Sequence, residues 1–164
     1  MKLEIGTRQD LMVDLTRGLA PGAPLALLVV FRLGGYADFV RRHGDEAGDD
    51  LIRRAAERIS EVLVPAGIYY RPRRDEVCLL VTGPLEGVGD ALFLAVAALS
   101  EERETTGIGA GFGAALLPNE ADDPIGALAI ADRRVSGLVE RRKPFPRNVP
   151  PSPTSRPAAG REAA

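Results

Sequence analysis

The amino-acid sequence predicts one α+β domain with a ferredoxin-like (palm) βαββαβ core, in which helices pack around a mostly antiparallel sheet. Short apolar runs alternate with longer segments whose apolar residues recur every three or four positions, as in strands and amphipathic helices. At 164 residues, 45% of them hydrophobic and 27% charged, the chain is long enough for one sizeable core and short for two. The order of the elements places the helices on one face of the sheet.

The N-terminal part predicts a helix followed by a buried strand. Thr7 is suited to cap the helix, an apolar stripe begins at Leu11, and the Pro- and Gly-rich residues 21–24 end it. Residues 25–31 form an unbroken apolar run. Such a run is typical of a central strand that is buried on both faces.

The middle of the chain predicts two more helical segments. Residues 36–42 are either a short helix or a mobile loop over a pocket. Residues 48–63 form the most regular helix, with apolar side chains on one face and charged side chains on the other. A Pro-Ala-Gly sequence at 65–67 ends this helix.

A charged hairpin follows at residues 69–81. Arg73, Arg74, Asp75 and Glu76 stand at its bend, and the apolar run that comes after them predicts a second buried strand. Three further elements are predicted: a helix at 85–99, a strand at 108–117 and a last helix with Pro124 in its first turn.

The composition changes at Pro144. Six of the 21 residues from 144 to 164 are proline, and almost none is large and apolar. Such a segment buries too little surface to become ordered. We therefore predict a folded domain at residues 1–143 and a Pro-rich disordered tail at residues 144–164, with a proline-rich ligand for a partner protein as the alternative.

Charge and cysteine content exclude several classes of protein. A formal net charge of −2 gives no general attraction to nucleic acid or to an anionic membrane. The longest apolar run is far shorter than a membrane span, and no signal peptide pattern follows Met1. One cysteine and one histidine make neither an internal disulfide nor a zinc site. A cytoplasmic protein is expected.

Residues 71–77 resemble, in altered form, the signature hairpin of the GGDEF family, the diguanylate cyclases of bacterial cyclic-di-GMP signalling. Arg73 and Arg74 stand where the signature has two glycines, and Val77 where it has phenylalanine. Further stretches are similar to family motifs in the same order: residues 5–11, 25–31, 43–52, and 112–115 followed by Ala131-Asp132. The resemblance covers residues 5–143 and implies the fold of GGDEF and nucleotidyl cyclase domains.

The resemblance also implies a two-metal site that this sequence has lost. In the family, an aspartate at the end of the first core strand and the first acidic residue of the signature hold two metal ions for phosphoryl transfer. Arg32 falls on the first of these positions and Asp75 on the second. Because a cation cannot ligate Mg²⁺, no cofactor is expected unless the chain is an enzyme after all. Asp75 and Glu76 are remnants of the catalytic signature.

The nucleotide-contacting positions are also changed. Val40 falls on the asparagine that reads guanine in the family, and it cannot make those hydrogen bonds. Asp49, the other guanine contact, is retained. The arginine and aspartate of the product-inhibition site fall on Val64 and Gly67, so feedback binding of cyclic-di-GMP there is not expected.

Candidate ligand-binding residues are the charged side chains at or near the family's nucleotide site: Arg32, Asp49, Arg71, Arg73, Arg74, Asp75 and Lys143. Arg32 either pairs with Asp75 across the former metal position or swings to solvent. The three hairpin arginines and Lys143 either form an anion site that holds phosphate without metal, or a solvated basic surface that docks on an acidic partner.

Two functions follow from the resemblance. The first is a catalytically degenerate GGDEF-like domain that acts as a regulatory or protein-interaction module in cyclic-di-GMP or nucleotide signalling, with retained nucleotide binding possible. The alternative is a divergent diguanylate cyclase or nucleotidyltransferase that makes a cyclic dinucleotide from GTP and recruits another carboxylate, such as Asp38, to the metal position. Expected partners are a protein, a guanine nucleotide or cyclic-di-GMP, and conceivably a second copy of the chain, but neither nucleic acid nor a membrane.

Overall fold

The computed structural model describes residues 2–63, 67–101 and 103–141, the side chains of Glu104 and of residues 136–141 excepted. Along this part of the chain the elements are β1 (Ile5–Thr7), α1 (Arg8–Gly18), β2 (Ala26–Gly34), α2 (Tyr36–His43), α3 (Asp45–Val62), β3 (Ile68–Arg71), β4 (Glu76–Thr82), α4 (Val88–Ser100), α5 (Arg103–Thr106), β5 (Gly109–Leu117) and α6 (Pro124–Arg141). Lys143, Val64 and the predicted tail at 144–164 lie outside the described residues.

The five strands form one sheet in the order β1-β3-β4-β2-β5. All neighbours are antiparallel except β1 and β3, which pair in parallel through residues 5–7 and 69–71. The predicted α+β class with a mostly antiparallel sheet is therefore confirmed. Strand β1 was not predicted, because three residues are too few to show an alternating pattern.

Helices cover both faces of the sheet, so the expectation of helices on one face is wrong. Strand β2 shows why, since Val29 and Phe31 contribute to one apolar cluster while Leu28 and Val30 contribute to another. The first cluster, the front core, packs against α2, α3 and α4. The second, the back core, packs against α1 and α6. A continuous apolar run requires cover on both sides because alternate side chains leave opposite faces.

The two helices that lead into the site begin with defined signals. Thr7 caps α1 as predicted, with its hydroxyl accepting from the Asp10 N–H and the Asp10 carboxylate accepting from the Thr7 N–H in return. Helix α3 begins at Asp45, earlier than predicted, because Gly44 adopts a φ of 91° that turns the chain from α2 into α3. Helix α2 is formed, which decides between the two alternatives for residues 36–42.

Strand β5 and helix α6 approach each other very closely at Gly113. A Cβ built at that residue would lie 2.1 Å from the Ala131 carbonyl oxygen and 2.6 Å from the Val135 nitrogen. Only a residue without a side chain fits between strand and helix here. This contact fixes the point along β5 at which α6 crosses the sheet.

Among the described residues, no helix is both long and apolar enough to cross a membrane.

Candidate functional site

A cluster of charged side chains lies where β2 and β4 meet helix α6. Arg32 of β2 is the register partner of Glu76 of β4, so both side chains leave the sheet on the face that carries the back core. Glu76 Oε1 accepts from Arg32 Nη2 at 2.7 Å and from Arg32 Nε at 3.1 Å. The same Nη2 also donates to Asp132 Oδ1 on α6. One guanidinium thus joins three elements of the fold.

Arg32 pairs with other carboxylates than that of Asp75, which was the predicted partner. The structure pairs Arg32 with Glu76 and Asp132. Asp75 contacts β2 through its backbone oxygen, which accepts from the Leu33 N–H at 2.9 Å. Sheet register explains the difference, because residues one apart on a strand face opposite sides. Arg32 nonetheless does not swing to solvent, since its side chain is 18% exposed.

Burial and charge work against each other at Glu76. The residue is only 4% exposed, and this burial raises the pKa of its carboxyl above the ordinary value, while the positive charges of Arg32 and Arg73 oppose that increase. Arg73 Nη1 lies 3.7 Å from Glu76 Oε1 and 3.9 Å from Asp132 Oδ1. We refer to Arg32, Arg73, Glu76 and Asp132 as the arginine–carboxylate cluster. Its two positive and two negative charges balance.

The other two hairpin arginines contact the beginning of α3 instead. Arg71 donates to Asp49 Oδ1 at 2.7 Å and to the Tyr36 hydroxyl at 3.0 Å, and Arg74 pairs with Asp45. The Arg71 guanidinium also donates to the Arg74 carbonyl at 2.8 Å and so closes the turn from within. The three described arginines proposed as an anion site are thus divided between two places, and each already faces a carboxylate.

The hairpin turn between β3 and β4 contains no glycine. No residue other than glycine has a positive φ among those described, so Arg73 and Arg74 do not adopt the backbone that the family's glycines allow. The Glu76 N–H donates to the Arg73 carbonyl at 3.3 Å. The turn therefore closes with backbone conformations that do not require glycine.

The position that corresponds to the family's guanine-reading asparagine packs against protein. Val40 is partly buried against the front core. A Cβ built at Gly48 would lie 2.7 Å from the Val40 side chain and 2.6 Å from the Tyr36 hydroxyl, so α2 lies closely on α3. The carboxylate of Asp49 is held by Arg71.

A cleft of about 190 Å³ opens beside the arginine–carboxylate cluster, between the hairpin, the start of α1 and the first turns of α6. It is lined by both apolar and charged side chains: Arg8, Val30, Pro72, Arg73, Glu76, Ile125, Leu128, Ala129 and Asp132. The sequence did not reveal this cleft, because Arg32 and Asp132, which join its walls, lie 100 residues apart in the chain. The alanine–aspartate pair at 131–132 was the one available signal.

The residues at the former metal position do not fit a Mg²⁺ ion. The guanidinium of Arg32 is bonded to both nearby carboxylates, and a cation there would repel the ion rather than ligate it. Within the described ranges, no group of three or more His, Cys, Asp or Glu side chains is arranged to hold a metal. We derive no chemical step through a metal ion at this site.

Comparisons with solved structures find the same fold in GGDEF domains. The GGDEF domain of DgcB from Caulobacter crescentus, determined in complex with c-di-GMP, is 19% identical over 87% of this chain and 90% of that chain, with a TM-score of 0.69. The active GGEEF domain of a diguanylate cyclase from Vibrio cholerae is 14% identical over 85% and 94%, with a TM-score of 0.70. The GGDEF domain of YfiN (TpbB) from Pseudomonas aeruginosa is 21% identical over 84% and 86%, with a TM-score of 0.65.

A comparison with curated protein sequences finds no match. The family model described as "Diguanylate cyclase, GGDEF domain" matches residues 9–142, which is most of the chain. Together with the five-stranded sheet and the hairpin between β3 and β4, this match establishes that the chain belongs to the GGDEF family of diguanylate cyclase domains, the domains of c-di-GMP signalling.

Proposed function

We propose that this chain is a non-catalytic GGDEF domain that acts in cyclic-di-GMP signalling as a regulatory module, by contacting another protein in the bacterial cytoplasm. The observation that carries the proposal is the pairing of Arg32 with Glu76 and Asp132 at the family's metal position. A guanidinium replaces the charge of the metal ion there, yet it can neither gather triphosphate oxygens through open coordination sites nor activate the attacking hydroxyl.

The nucleotide positions support the same proposal. Val40 offers no hydrogen bond to a base, and Asp49 is paired with Arg71. In addition, the two glycines that would allow the hairpin backbone to approach a phosphate are replaced by Arg73 and Arg74. Turnover would require several of these features to be reversed together.

The direct test is product formation from GTP. The purified chain is incubated with GTP and Mg²⁺ or Mn²⁺, and cyclic-di-GMP is measured by mass spectrometry, with an active diguanylate cyclase as the positive control. We expect no product from the chain or from its Arg32→Asp variant, since that variant regains one metal ligand but not the base-reading asparagine. Formation of cyclic-di-GMP by the unaltered chain would overturn the proposal and establish the divergent cyclase.

A thermal-shift series tests the absence of a metal-dependent nucleotide complex. GTP and cyclic-di-GMP are added with and without Mg²⁺. A ligand at about 100 times its dissociation constant stabilises a protein by about 2.7 kcal/mol, which is a clear shift in Tm. We expect that Mg²⁺ makes no difference to any shift observed, and a shift with GTP that requires Mg²⁺ would contradict the replacement of the ion by Arg32.

A further inference from the structure

The outer side of α4 is apolar although it is exposed. Phe93 and Leu94 are 67% and 61% exposed, and Ala97, one turn later on the same side of the helix, is exposed as well. Asp90 is the single charged residue in the sequence of this helix. A surface helix normally carries polar side chains toward solvent, whereas a helix that is apolar all round is normally covered. The composition of α4 therefore indicates a helix that is covered on its outer side too.

An aromatic pair continues this surface from the helix onto the sheet. The ring of Phe93 packs edge-on against that of Phe112 on β5, with ring centroids 5.4 Å apart. Phe112 is partly buried against the front core, and its centroid lies 6.1 Å from that of the buried Phe31. The pair therefore rests on the core and keeps its shape without a partner. We refer to Phe93, Leu94, Ala97 and Phe112 as the aromatic face.

Carboxylates flank the aromatic face at both ends of α4. Asp90 lies one turn before the exposed apolar residues of the helix, and Glu101 lies one turn after them. Glu101 is 3.6 Å from Arg58, whereas Asp90 forms no ion pair within the described ranges. Two copies of this face brought together would place carboxylate beside carboxylate, which is unfavourable. The face therefore favours an occupant that is apolar and positively charged.

The part of the chain that follows α6 has this chemistry. Residues 142–164 include five basic residues and one acidic residue: Arg142, Lys143, Arg147, Arg156, Arg161 and Glu162. Pro150 and Pro153 stand in a P-x-x-P spacing, with Arg147 three positions before the first proline. Sequences of this kind bind aromatic-lined surfaces, because proline fixes the extended backbone in advance and little entropy is lost on binding.

The connection to the aromatic face is long enough. Helix α6 packs on the back core and ends at Arg141, and the strand that it crosses, β5, is the outermost of the sheet. The chain beyond α6 therefore has to pass only the edge of β5 to reach the front. At about 3.1 Å per residue, the 23 residues from 142 to 164 span up to about 70 Å. This is more than twice the roughly 31 Å of the nine-residue strand β5.

We propose that residues 144–157 of this chain, the proline-rich segment, cover the aromatic face of the same molecule. The prolines lie on Phe93 and Phe112, and the arginines of the segment face Asp90 and Glu101. Covered in this way, the face is open to another protein only when the segment leaves it. The inference goes beyond the proposed function and fails separately from it, because its test requires neither a nucleotide nor a partner protein.

Thiol accessibility in the full chain measures the coverage. Ala97→Cys places a thiol on the aromatic face, whereas the natural Cys78 is buried. The reaction of this thiol with 5,5′-dithiobis(2-nitrobenzoate) is timed with the native segment and with the double substitution Pro150→Ser/Pro153→Ser. We expect the reaction to be about tenfold faster in the double variant, which corresponds to about nine-tenths coverage by the native segment. Equal rates would overturn the proposal: two fast reactions would leave the face to another protein, and two slow ones would indicate a different cover.

Matched variants separate coverage from local effects. In the Ala97→Cys chain, Phe93→Ser should release the segment and raise the rate as much as the proline substitutions do. Val13→Ser, at an apolar position of α1 that is 46% exposed, is the control and should leave the rate unchanged. A thiol at the exposed Gln9, introduced by Gln9→Cys, should react equally fast with either segment. Equal acceleration by Phe93→Ser and Val13→Ser would show a general loosening of the fold and overturn the assignment to the aromatic face.

Protein concentration and salt complete the test. Coverage within one molecule is independent of concentration, so the rate should stay constant from about 1 to about 100 μM protein. Protection that increases with concentration would assign the segment to a second copy and overturn the intramolecular arrangement. Protection should also weaken between about 0.05 and about 0.5 M NaCl, because exposed ion pairs are screened. Protection that salt does not change would contradict the pairing of the arginines with Asp90 and Glu101.

Discussion

At the scale of single residues, Arg32 determines the charge balance and the hydrogen bonding of the cluster around it. Its guanidinium gives two carboxylates a common donor in a place where Glu76 has almost no access to water. Without that donor, Glu76 would be a buried charge beside a second negative charge, with Arg73 at 3.7 Å as its ion-pair partner. The residue that stands at the family's metal position therefore also stabilises the two carboxylates beside it.

Replacing Arg32 by methionine should destabilise the protein substantially. The variant Arg32→Met leaves Glu76 buried beside Asp132, and we expect the free energy of unfolding to fall by about 2–3 kcal/mol, less than for a fully buried pair because Arg32 is 18% exposed. Urea denaturation at pH 7 measures this change. The control Arg41→Met breaks an ion pair with Asp38 whose side chains are 76% and 60% exposed, and should cost about 0.5 kcal/mol or less. Equal losses for the two variants would contradict the structural importance of the cluster.

At the scale of elements, the position of α6 determines the site because the helix carries Asp132. The helix crosses β5 at Gly113, where the Ala131 carbonyl would be 2.1 Å from any Cβ. The residue that precedes Asp132 is therefore the one that meets the strand. The short distance between β5 and α6 therefore depends on the absence of a side chain at Gly113.

A methyl group at this crossing should separate the two elements. Gly113→Ala is expected to lower the free energy of unfolding by about 3 kcal/mol or more, because the two nearest neighbours of the added Cβ are backbone atoms that cannot move aside. Gly109→Ala in the same strand is the matched control, since nothing lies within 4 Å of its built Cβ and it should be close to neutral. Thermal unfolding followed by circular dichroism compares the two, and a neutral Gly113→Ala would show that α6 can shift freely.

The outer edge of β5 is covered by an ion pair rather than by another strand. Glu120 accepts from Arg134 at 2.6 and 3.0 Å and from the Leu116 N–H at 2.7 Å, while Arg134 also donates to the Ala114 carbonyl. These contacts occupy backbone groups that an edge strand would otherwise offer to another chain. The side-chain hydrogen bond from Arg134 and the backbone N–H of Leu116 lower the pKa of Glu120 to about 2.

This pair should make a pH-dependent contribution to stability. Since the folded-state pKa of Glu120 lies below its ordinary value of 4.5, the contribution is fully present above pH 4.5 and is lost as the pH falls toward 2. Glu120→Gln should therefore reduce the free energy of unfolding by about 0.5–1 kcal/mol at pH 7, a modest amount for a largely exposed pair, and by progressively less in acid. Denaturation at pH 7, 4 and 3 measures the difference, and a constant difference across this range would contradict the role of the charge.

The helices and long strands could be predicted from the sequence because each carries its own signal. The apolar run at 25–31 and the charged–apolar periodicity of 48–63 are local features, and both elements formed. The partner of Arg32 could not be predicted, because the choice between Asp75 and Glu76 depends on the register of β4 against β2. Similarly, the cleft requires a helix 100 residues away in sequence to lie above the strand that bears Arg32. The resemblance to the family thus pointed to Arg32, Arg73 and Glu76, and long-range packing decided which side chains pair.

At the scale of the whole molecule, the two cores share one sheet. Strands β2 and β4 contribute alternate side chains to both, as Val29 and Leu79 do to the front core and Leu28 and Leu80 to the back core. If either core loses its packing, the apolar side chains on one face of β2 and β4 lose their cover. The arginine–carboxylate cluster stands at the end of these two strands, so its geometry depends on both cores.

The shared sheet predicts a single cooperative unfolding transition. Leu15→Ala changes the back core and Ile59→Ala the front core, both at fully buried positions. Each should lower the free energy of unfolding by about 2–5 kcal/mol and shift the midpoint of a single transition to a lower urea concentration. Far-ultraviolet circular dichroism reports the helices on both faces, and near-ultraviolet circular dichroism reports the tyrosines, of which Tyr69 belongs to the front core and Tyr70 to the back core. Because the same two strands carry both cores, the two signals should change together in both variants. If Leu15→Ala instead melted the back core at a lower urea concentration than the front core, each face would be stable alone, and the cleft could open without unfolding of the domain.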